Sequence, residues 1–279
     1  MINLSSSKII FLVLIYSSVI IGGIFLNYMY KKDFFSKENY AGKKAFFSYG
    51  LISYPCVVLG ISILYILGSI DINSFLNYII IMSLMWIGGT IDDLFGNRNI
   101  SGFKGHISYL IKEKKISTGL IKIFFGIIAG FVAAHLFGGD NILRTISAFL
   151  LIPLSANSIN LFDLRPGRAL FIFFISFFVI CLISSFNMYD WGIISVVMIV
   201  TMAAYIWDRI GHAMMGDSYS NVLGAFLGIL IIMNTPSSFW IIAIILNILL
   251  QIFSEKYSIS KTIENNKVLN FIDKITGNR

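Results

Sequence analysis

The chain has 279 residues, of which 57% are hydrophobic and 13% are charged, and its formal net charge is +7. A water-soluble core of ordinary size could not bury this much apolar surface, so the composition excludes an ordinary soluble enzyme and predicts that lipid surrounds most of the chain. The positive charge requires no nucleic-acid partner, because a basic cytoplasmic side and anionic lipid headgroups explain it.

Apolar runs follow one another along the whole chain, separated by short polar segments. A membrane-spanning helix needs about 20 mainly apolar residues, so the runs predict an all-α polytopic membrane protein with about nine transmembrane helices. We expect residues 1–279 to form one integral-membrane domain, with 254–279 as a cytoplasmic tail. The predicted spans are approximately 9–29, 46–68, 75–94, 117–137, 142–161, 168–186, 190–207, 220–233 and 237–253.

The distribution of basic residues predicts the orientation. Lys and Arg in short loops resist translocation and stay on the cytoplasmic side. The intervening segments carry the acids Asp71, Asp140 and Asp190, which predicts an outside N-terminus and a cytoplasmic C-terminus. Eighteen of the 21 Lys and Arg residues lie in alternate segments, namely 30–45, 95–116, 161–169, 207–219 and the tail.

The third predicted span ends in two adjacent carboxylates, Asp92 and Asp93, within the sequence GGTIDDLFG of residues 88–96. Acidic side chains close to the membrane are costly, so they usually have a partner or a function. One interpretation is an ion pair at the interface with Arg98 or Lys104. The other is a functional pair of acids.

Polar side chains also end the fifth predicted span, where Asn157, Asn160 and Asp163 recur at every third residue. On a continuing helix these three lie near one face. Buried asparagines hydrogen-bond membrane helices to one another, and this explains one of them easily. Three in register, followed by Arg-Pro-Gly, favour a functional surface.

The eighth predicted span follows Gly216, Asp217 and Ser218. Asp and Ser before an apolar run are typical N-caps, and capping alone would explain either residue. A helix N-terminus beside a carboxylate can also hold a diphosphate with its metal ion. Both interpretations stay open at this point.

Basic residues and histidines add further candidates on the inner side. Lys122 lies about one turn inside a span that begins Ser-Thr-Gly, where it either faces a phosphate or extends to the interface. Lys43 and His106 are candidate substrate-binding residues, although His106 and His212 lack a metal-ligand neighbour at helical spacing. His135, near the outer end of a span, is expected to be structural.

Carboxylates, amides and lysines on one membrane face fit a polyanionic substrate bridged by Mg²⁺. Oxygen ligands from Asp suit Mg²⁺, which Mn²⁺ could replace, and lysines suit phosphate. A site of this kind facing the cytosol could take a nucleotide-activated compound and act on a lipid.

Three motifs in this order resemble a known family: IDDLFG at 91–96, NSINLFD at 157–163 and GDSYSNVLG at 216–224. They are similar to the polyprenyl-phosphate N-acetylhexosamine-1-phosphate transferases, which include phospho-N-acetylmuramoyl-pentapeptide transferase and the undecaprenyl-phosphate GlcNAc-1-phosphate transferases. The resemblance extends from about Tyr40 to Ser258.

The resemblance implies a reaction, a location and partners. A sugar 1-phosphate would pass from a UDP-sugar to a polyprenyl phosphate such as undecaprenyl phosphate, with release of UMP and a requirement for Mg²⁺. The protein would be a multi-pass protein of the bacterial cytoplasmic membrane, with its site facing the cytoplasm, in the synthesis of cell-envelope glycans. A homodimer is a further expectation.

Residue by residue, the resemblance implies that Asp92, Asp93 and Asp163 are catalytic. Asp92 would lie at the lipid-phosphate end, where it removes a proton from the phosphate or orients it. The same resemblance assigns the contacts to substrate and metal: Asn157 and Asn160 in the nucleotide-sugar pocket, Lys122 at a phosphate, and Asp217 on Mg²⁺.

The sequence departs from the best-known members in one respect. Those proteins carry a His-x-His-His type loop late in the chain, whereas residues 254–279 contain no histidine. A catalytically silent relative, which binds polyprenyl phosphate or scaffolds an envelope complex, is therefore an alternative. A cation-coupled transporter is another, and it predicts acids near the bilayer midplane instead of at the inner ends of spans.

Overall fold

A computed structural model describes residues 22–277, apart from 24, 26, 27, 30, 33–35, 39–41, 43 and 97–101. Most of the first predicted span lies outside the described residues. Lys43 and Arg98 also lie outside them.

The described residues form a helical bundle with one small ribbon. Strands β1 and β2 pair antiparallel, with Lys37 opposite Ala45. The elements in chain order are β1 Ser36–Glu38, β2 Lys44–Phe46, α1 Gly50–Ile66, α2 Ile72–Phe95, α3 Gly102–Glu113, α4 Thr118–Gly138, α5 Ile142–Phe162, α6 Arg168–Ile183, α7 Met188–Arg209, α8 Gly216–Asn234, α9 Ser237–Lys256, α10 Ile259–Asn265 and α11 Lys267–Thr276.

Six of the described helices are long and apolar enough to cross a membrane, namely α2, α4, α5, α7, α8 and α9. The prediction of a predominantly helical, polytopic membrane protein is confirmed. The predicted spans at 46–68 and 168–186 correspond to α1 and α6, which are apolar but have 17 and 16 residues. The total of nine spans and the orientation stay predictions.

Helix α8 lies at the centre of the bundle. It begins four residues before the predicted span, and every residue from Ser218 to Ile232 is buried. Helices α2 and α5 pack along its length. Gly224 permits the approach of α5, because a Cβ atom there would lie 2.3 Å from the carbonyl oxygen of Ser155. Small residues at such crossings let membrane helices pack backbone to backbone.

The predicted polar segments collect at one end of the bundle. Helices α2 and α5 end there, while α4, α6 and α8 begin there. The ribbon is fixed at the same end, since the backbone N–H of Phe46 donates to the carbonyl of His212 at 3.0 Å and the carbonyl of Phe46 accepts from Met214 at 2.8 Å. We call this region the polar end.

The C-terminal tail folds back onto the polar end as α10 and α11. The guanidinium of Arg168, at the start of α6, donates to both carboxylate oxygens of Asp273, at 2.8 and 3.0 Å. Both side chains are buried, and Arg168 also donates to the hydroxyl of Ser260 at 2.9 Å. A buried, bidentate ion pair of this kind fixes orientation as well as contact. The residues predicted as a cytoplasmic tail are thus helical and docked.

The crossing of α5 and α8 generates the first prediction. Gly224→Ala puts a methyl group against the backbone of α5, and we expect overpacking to lower the free energy of unfolding by about 1–3 kcal/mol. The apparent Tm of the purified protein in detergent measures this loss. Gly105→Ala in α3 is the matched control, because no atom lies within 4 Å of the added methyl group. Equal Tm values for both variants would contradict the close crossing.

Candidate functional site

Four side chains from four helices meet at the polar end: Asp92 of α2, Lys122 of α4, Asn160 of α5 and Asp217 of α8. The ammonium group of Lys122 contacts Oδ2 of Asp217 directly and lies 3.7 Å from Oδ2 of Asp92. The charged side chains keep 18–24% of their surface exposed, so a ligand can reach them. Asp92 therefore meets Lys122. The predicted alternative, an ion pair with Arg98 or Lys104, concerns side chains outside those that the structure describes.

Two glycines bring these helices together. Gly88 of α2 faces α4, where a Cβ atom would lie 2.9 Å from the Cβ of Phe125. Gly89 faces α8, where a Cβ atom would lie 2.3 Å from the carbonyl oxygen of Asp217. Because the two residues point to different neighbours, α2 can pack closely against both helices, and Asp92 follows less than one turn later.

Asn160 and Ser220 hold the carboxylate of Asp217 in place. The amide of Asn160 donates to Oδ2 of Asp217 at 3.2 Å, and the hydroxyl of Ser220 donates to Oδ1 of Asn160 at 2.9 Å. The amide is thereby fixed with its NH₂ group towards the acid. Ser220 was not predicted, although it lies three residues after Asp217, where a helix brings a side chain back to the same face.

Asp93 faces a different partner from its neighbour. Its Oδ1 accepts from the backbone N–H of Asp217 at 2.8 Å, and its Oδ2 accepts from that of Ser218 at 2.9 Å. The backbone N–H of Gly216 donates to the carboxylate of Asp163. Two acids from other parts of the chain therefore cap the N-terminus of α8.

This cap changes two interpretations of the sequence. Asp217 and Ser218 do not cap their own helix: Asp217 turns to Lys122, and the hydroxyl of Ser218 hydrogen-bonds that of Ser48 at 2.7 Å. The first N–H groups of α8 are occupied by Asp93 and Asp163, so a diphosphate at this end would meet Lys122 and not the helix N-terminus.

Asp163 lies near the cluster and next to a second acid, Asp208. Burial raises the pKa of the Asp163 carboxyl well above its usual range, and the nearby charges of Asp208, Asp217 and Asp93 raise it further. Asp208 is buried, and its Oδ2 accepts from the backbone N–H of Gly167 at 2.5 Å. Asp208 was not predicted, since the only signal in the sequence is an acid at the inner end of a span.

Asn157 faces away from the acids. Its amide donates to the side chain of Gln251 on α9, and the amide of Gln251 donates to the hydroxyl of Ser158 at 3.2 Å. The structure therefore separates Asn157 from Asn160, although both were predicted in one pocket. The contact of Asn157 is the helix-to-helix bond that buried amides make in membranes.

His106 lies near the cluster without contacting it. Its Nδ1 lies 2.9 Å from the hydroxyl of Ser117, and its ring packs on Gly119, one turn before Lys122. Burial lowers the pKa of His106, while the nearby acid Asp92 opposes this shift. The neutral ring can donate or accept one hydrogen bond at the edge of the site.

Lys37 was not predicted as a site residue. Its ammonium group donates to the carbonyl oxygen of Asp93 at 2.7 Å and lies 4.7 Å from the centre of the Phe47 ring. The ribbon thus joins the polar end of α2 through this bond. The signal in the sequence was a basic segment before the second span, which the positive-inside rule already explained.

The acids can hold a metal ion only with help from a ligand. Among the described residues, no group of three or more His, Cys, Asp or Glu side chains could hold a metal ion alone. In the described part of the chain, the carboxyl groups of Asp92 and Asp217 lie next to each other beside Lys122. Mg²⁺ is usually bound by one or two carboxylates together with water and substrate phosphates, so this pair fits a Mg²⁺ ion that arrives with a diphosphate.

The cap on α8 generates a second prediction. Asp93→Asn keeps one acceptor oxygen but turns an NH₂ group towards the other backbone N–H, and we expect a loss of about 1–3 kcal/mol in the free energy of unfolding. Asp92→Asn is the control, since it changes the adjacent acid in the same way and leaves the hydrogen bonds of Asp93 and Asp163 to α8 in place. Thermal unfolding in detergent compares the two. An Asp93→Asn variant as stable as the control would contradict the cap.

Comparison with protein-family models and with curated proteins finds no match for this chain.

Proposed function

We propose that the protein is a membrane phosphoglycosyl transferase, which moves an N-acetylhexosamine 1-phosphate from a UDP-sugar to polyprenyl phosphate and releases UMP. The observation that carries the proposal is the meeting of Asp92, Lys122, Asn160 and Asp217 at one end of a membrane bundle. We place this end at the cytoplasmic face, as the positive-inside distribution predicts, and in a bacterial membrane, as the resemblance of the motifs implies.

The charge of the cluster suits this reaction. A lipid phosphate oxygen attacks the phosphorus that carries the sugar, a new P–O bond forms, and the bond to the bridging oxygen breaks as UMP leaves with its electron pair. Two anions must approach each other, so positive charge at the site lowers the barrier. Lys122 supplies part of that charge from the chain itself. Asp217 would hold Mg²⁺, which would supply the rest by neutralising the charge of the diphosphate.

The remaining residues take roles that follow from their contacts. Asp92, beside both Lys122 and Asp217, is the acid that orients the lipid phosphate or takes its proton. Asn160 orients Asp217. Asp93 and Asp163 act as positioning residues, because their carboxylates hold the first turn of α8. Direct attack and a two-step route through an enzyme nucleophile both fit these contacts.

The position of the acids favours a transferase over a cation-coupled transporter. Asp92 is three residues from the end of α2, and Asp217 is the second residue of α8. A site at helix ends can take a soluble nucleotide from the water and a phosphate headgroup from the bilayer. Coupling ions in transporters bind nearer the midplane, between broken helices.

Release of UMP tests the proposal. The purified protein is incubated with undecaprenyl phosphate, Mg²⁺ and a panel of UDP-sugars, and we expect UMP with at least one sugar and none after chelation. Asp217→Ala removes the metal ligand and the partner of Lys122, and we expect turnover to fall by about 100-fold or more. If no sugar gives UMP while a known transferase releases UMP in the same detergent, the result contradicts the proposal and favours a catalytically silent relative.

Two asparagines give a matched control for the same assay. Asn160→Ala removes the hydrogen bond to Asp217, whereas Asn157→Ala removes one to Gln251 on α9. We expect Asn160→Ala to lose far more turnover than Asn157→Ala at equal amounts of folded protein. Equal losses would contradict the separation of the two side chains and favour a shared nucleotide pocket.

A further inference from the structure

Helix α11 exposes its apolar face and buries part of its polar face, the reverse of an ordinary helix on a soluble protein. Val268, Phe271 and Ile275 lie along one stripe at helical spacing and are 67%, 65% and 54% exposed. Asp273 and Thr276, on another side of the helix, are buried against the bundle. An exposed apolar stripe of this kind marks an interaction surface.

The polar contacts fix the direction of this stripe. Asp273 is held by Arg168, the hydroxyl of Tyr205 donates to the carbonyl of Thr276 at 2.9 Å, and Arg209 donates to the carbonyl of Ile275 at 3.4 Å. The helix therefore cannot roll its apolar side towards the bundle without breaking a buried ion pair. Loss of one partner from such a pair is strongly destabilising, because it leaves a buried charge uncompensated.

The end of α11 lies beside an exposed apolar surface of α7. Tyr205 and Arg209, which hold the end of α11, belong to the last turns of the membrane-spanning helix α7. Met202 and Ile206 on that helix, and Ile210 directly after it, are exposed at four-residue spacing. The end of α11 is thus attached to α7 beside these exposed apolar residues, where the helix that could span the membrane ends.

Basic residues accompany the stripe. Lys267 and Lys274 are exposed on α11, beside the apolar side chains and not among them. A helix with an apolar face flanked by lysines lies in the plane of a membrane interface, with its apolar side about 5–10 Å into the headgroup and acyl boundary. Lysines near an anionic leaflet are attracted to its surface.

We propose that α11 is an interfacial helix that binds the surface of an anionic bilayer through Val268, Phe271 and Ile275, while Asp273 ties it to the bundle. The inference is independent of the proposed enzymatic function. The residues that the sequence predicted as a cytoplasmic tail would therefore contact lipid.

Depth measurement by electron paramagnetic resonance tests the proposal on the full chain. Cys56 and Cys181 are replaced by Ser, and a nitroxide label is attached at Phe271→Cys or, as the matched control, at Lys274→Cys. The protein is placed in nanodiscs that contain phosphatidylglycerol. We expect the label at 271 to collide with oxygen more than with a water-soluble nickel chelate, and the label at 274 to show the reverse.

Two outcomes would overturn the proposal. Equal exposure of both labels to the nickel chelate would mean that α11 lies in water. Shielding of the label at 271 from both reagents would mean that a protein surface, such as a second copy of the chain, covers the stripe. In nanodiscs of neutral phosphatidylcholine we expect the label at 271 to become shallower, and an unchanged depth would contradict the role of the lysines.

Discussion

The polar end depends on how the N-terminus of α8 is satisfied. The first N–H groups of a helix have no partner within it and carry a partial positive charge, which is costly in a buried position. Helix α8 begins at the polar end and is surrounded by other helices. Two acids from outside the helix, Asp93 and Asp163, accept from its first three N–H groups. Because they cap α8, Asp217 is not needed as a cap, and its side chain turns to Lys122.

Four acids of the polar end thus have two kinds of partner. Asp93 and Asp163 accept hydrogen bonds from the N-terminus of α8, whereas Asp92 and Asp217 share Lys122 as a neighbour. The two acids and the ammonium group stay partly exposed, so their oxygen and nitrogen atoms lie near the surface. The same cluster can thus hold a cation and present a lysine to phosphate, which is the combination that a diphosphate substrate requires.

Hydropathy was sufficient to predict a polytopic helical protein and the collection of the acids at one end. It could not predict which acid meets which partner, because this depends on the rotation of each helix in the bundle. Successive residues point about 100° apart, so Asp92 and Asp93 face different neighbours despite their adjacency. For the same reason the side chain of Asn157 contacts α9 and that of Asn160 contacts α8. The ribbon and the docked tail were missed, since long-range contacts such as that between Arg168 and Asp273 leave no local pattern.

The proposed metal site is tested most directly by asking whether a divalent ion binds at Asp217 together with a nucleotide. The electron paramagnetic resonance signal of Mn²⁺, recorded with purified protein and a UDP-sugar, distinguishes bound from free ion. We predict immobilised Mn²⁺ in the natural protein only when the nucleotide is present, loss of that signal in Asp217→Ala, and its retention in Gly105→Ala. Binding that is unchanged in Asp217→Ala, or that does not depend on the nucleotide, would contradict the assignment of this cluster as a diphosphate and metal site.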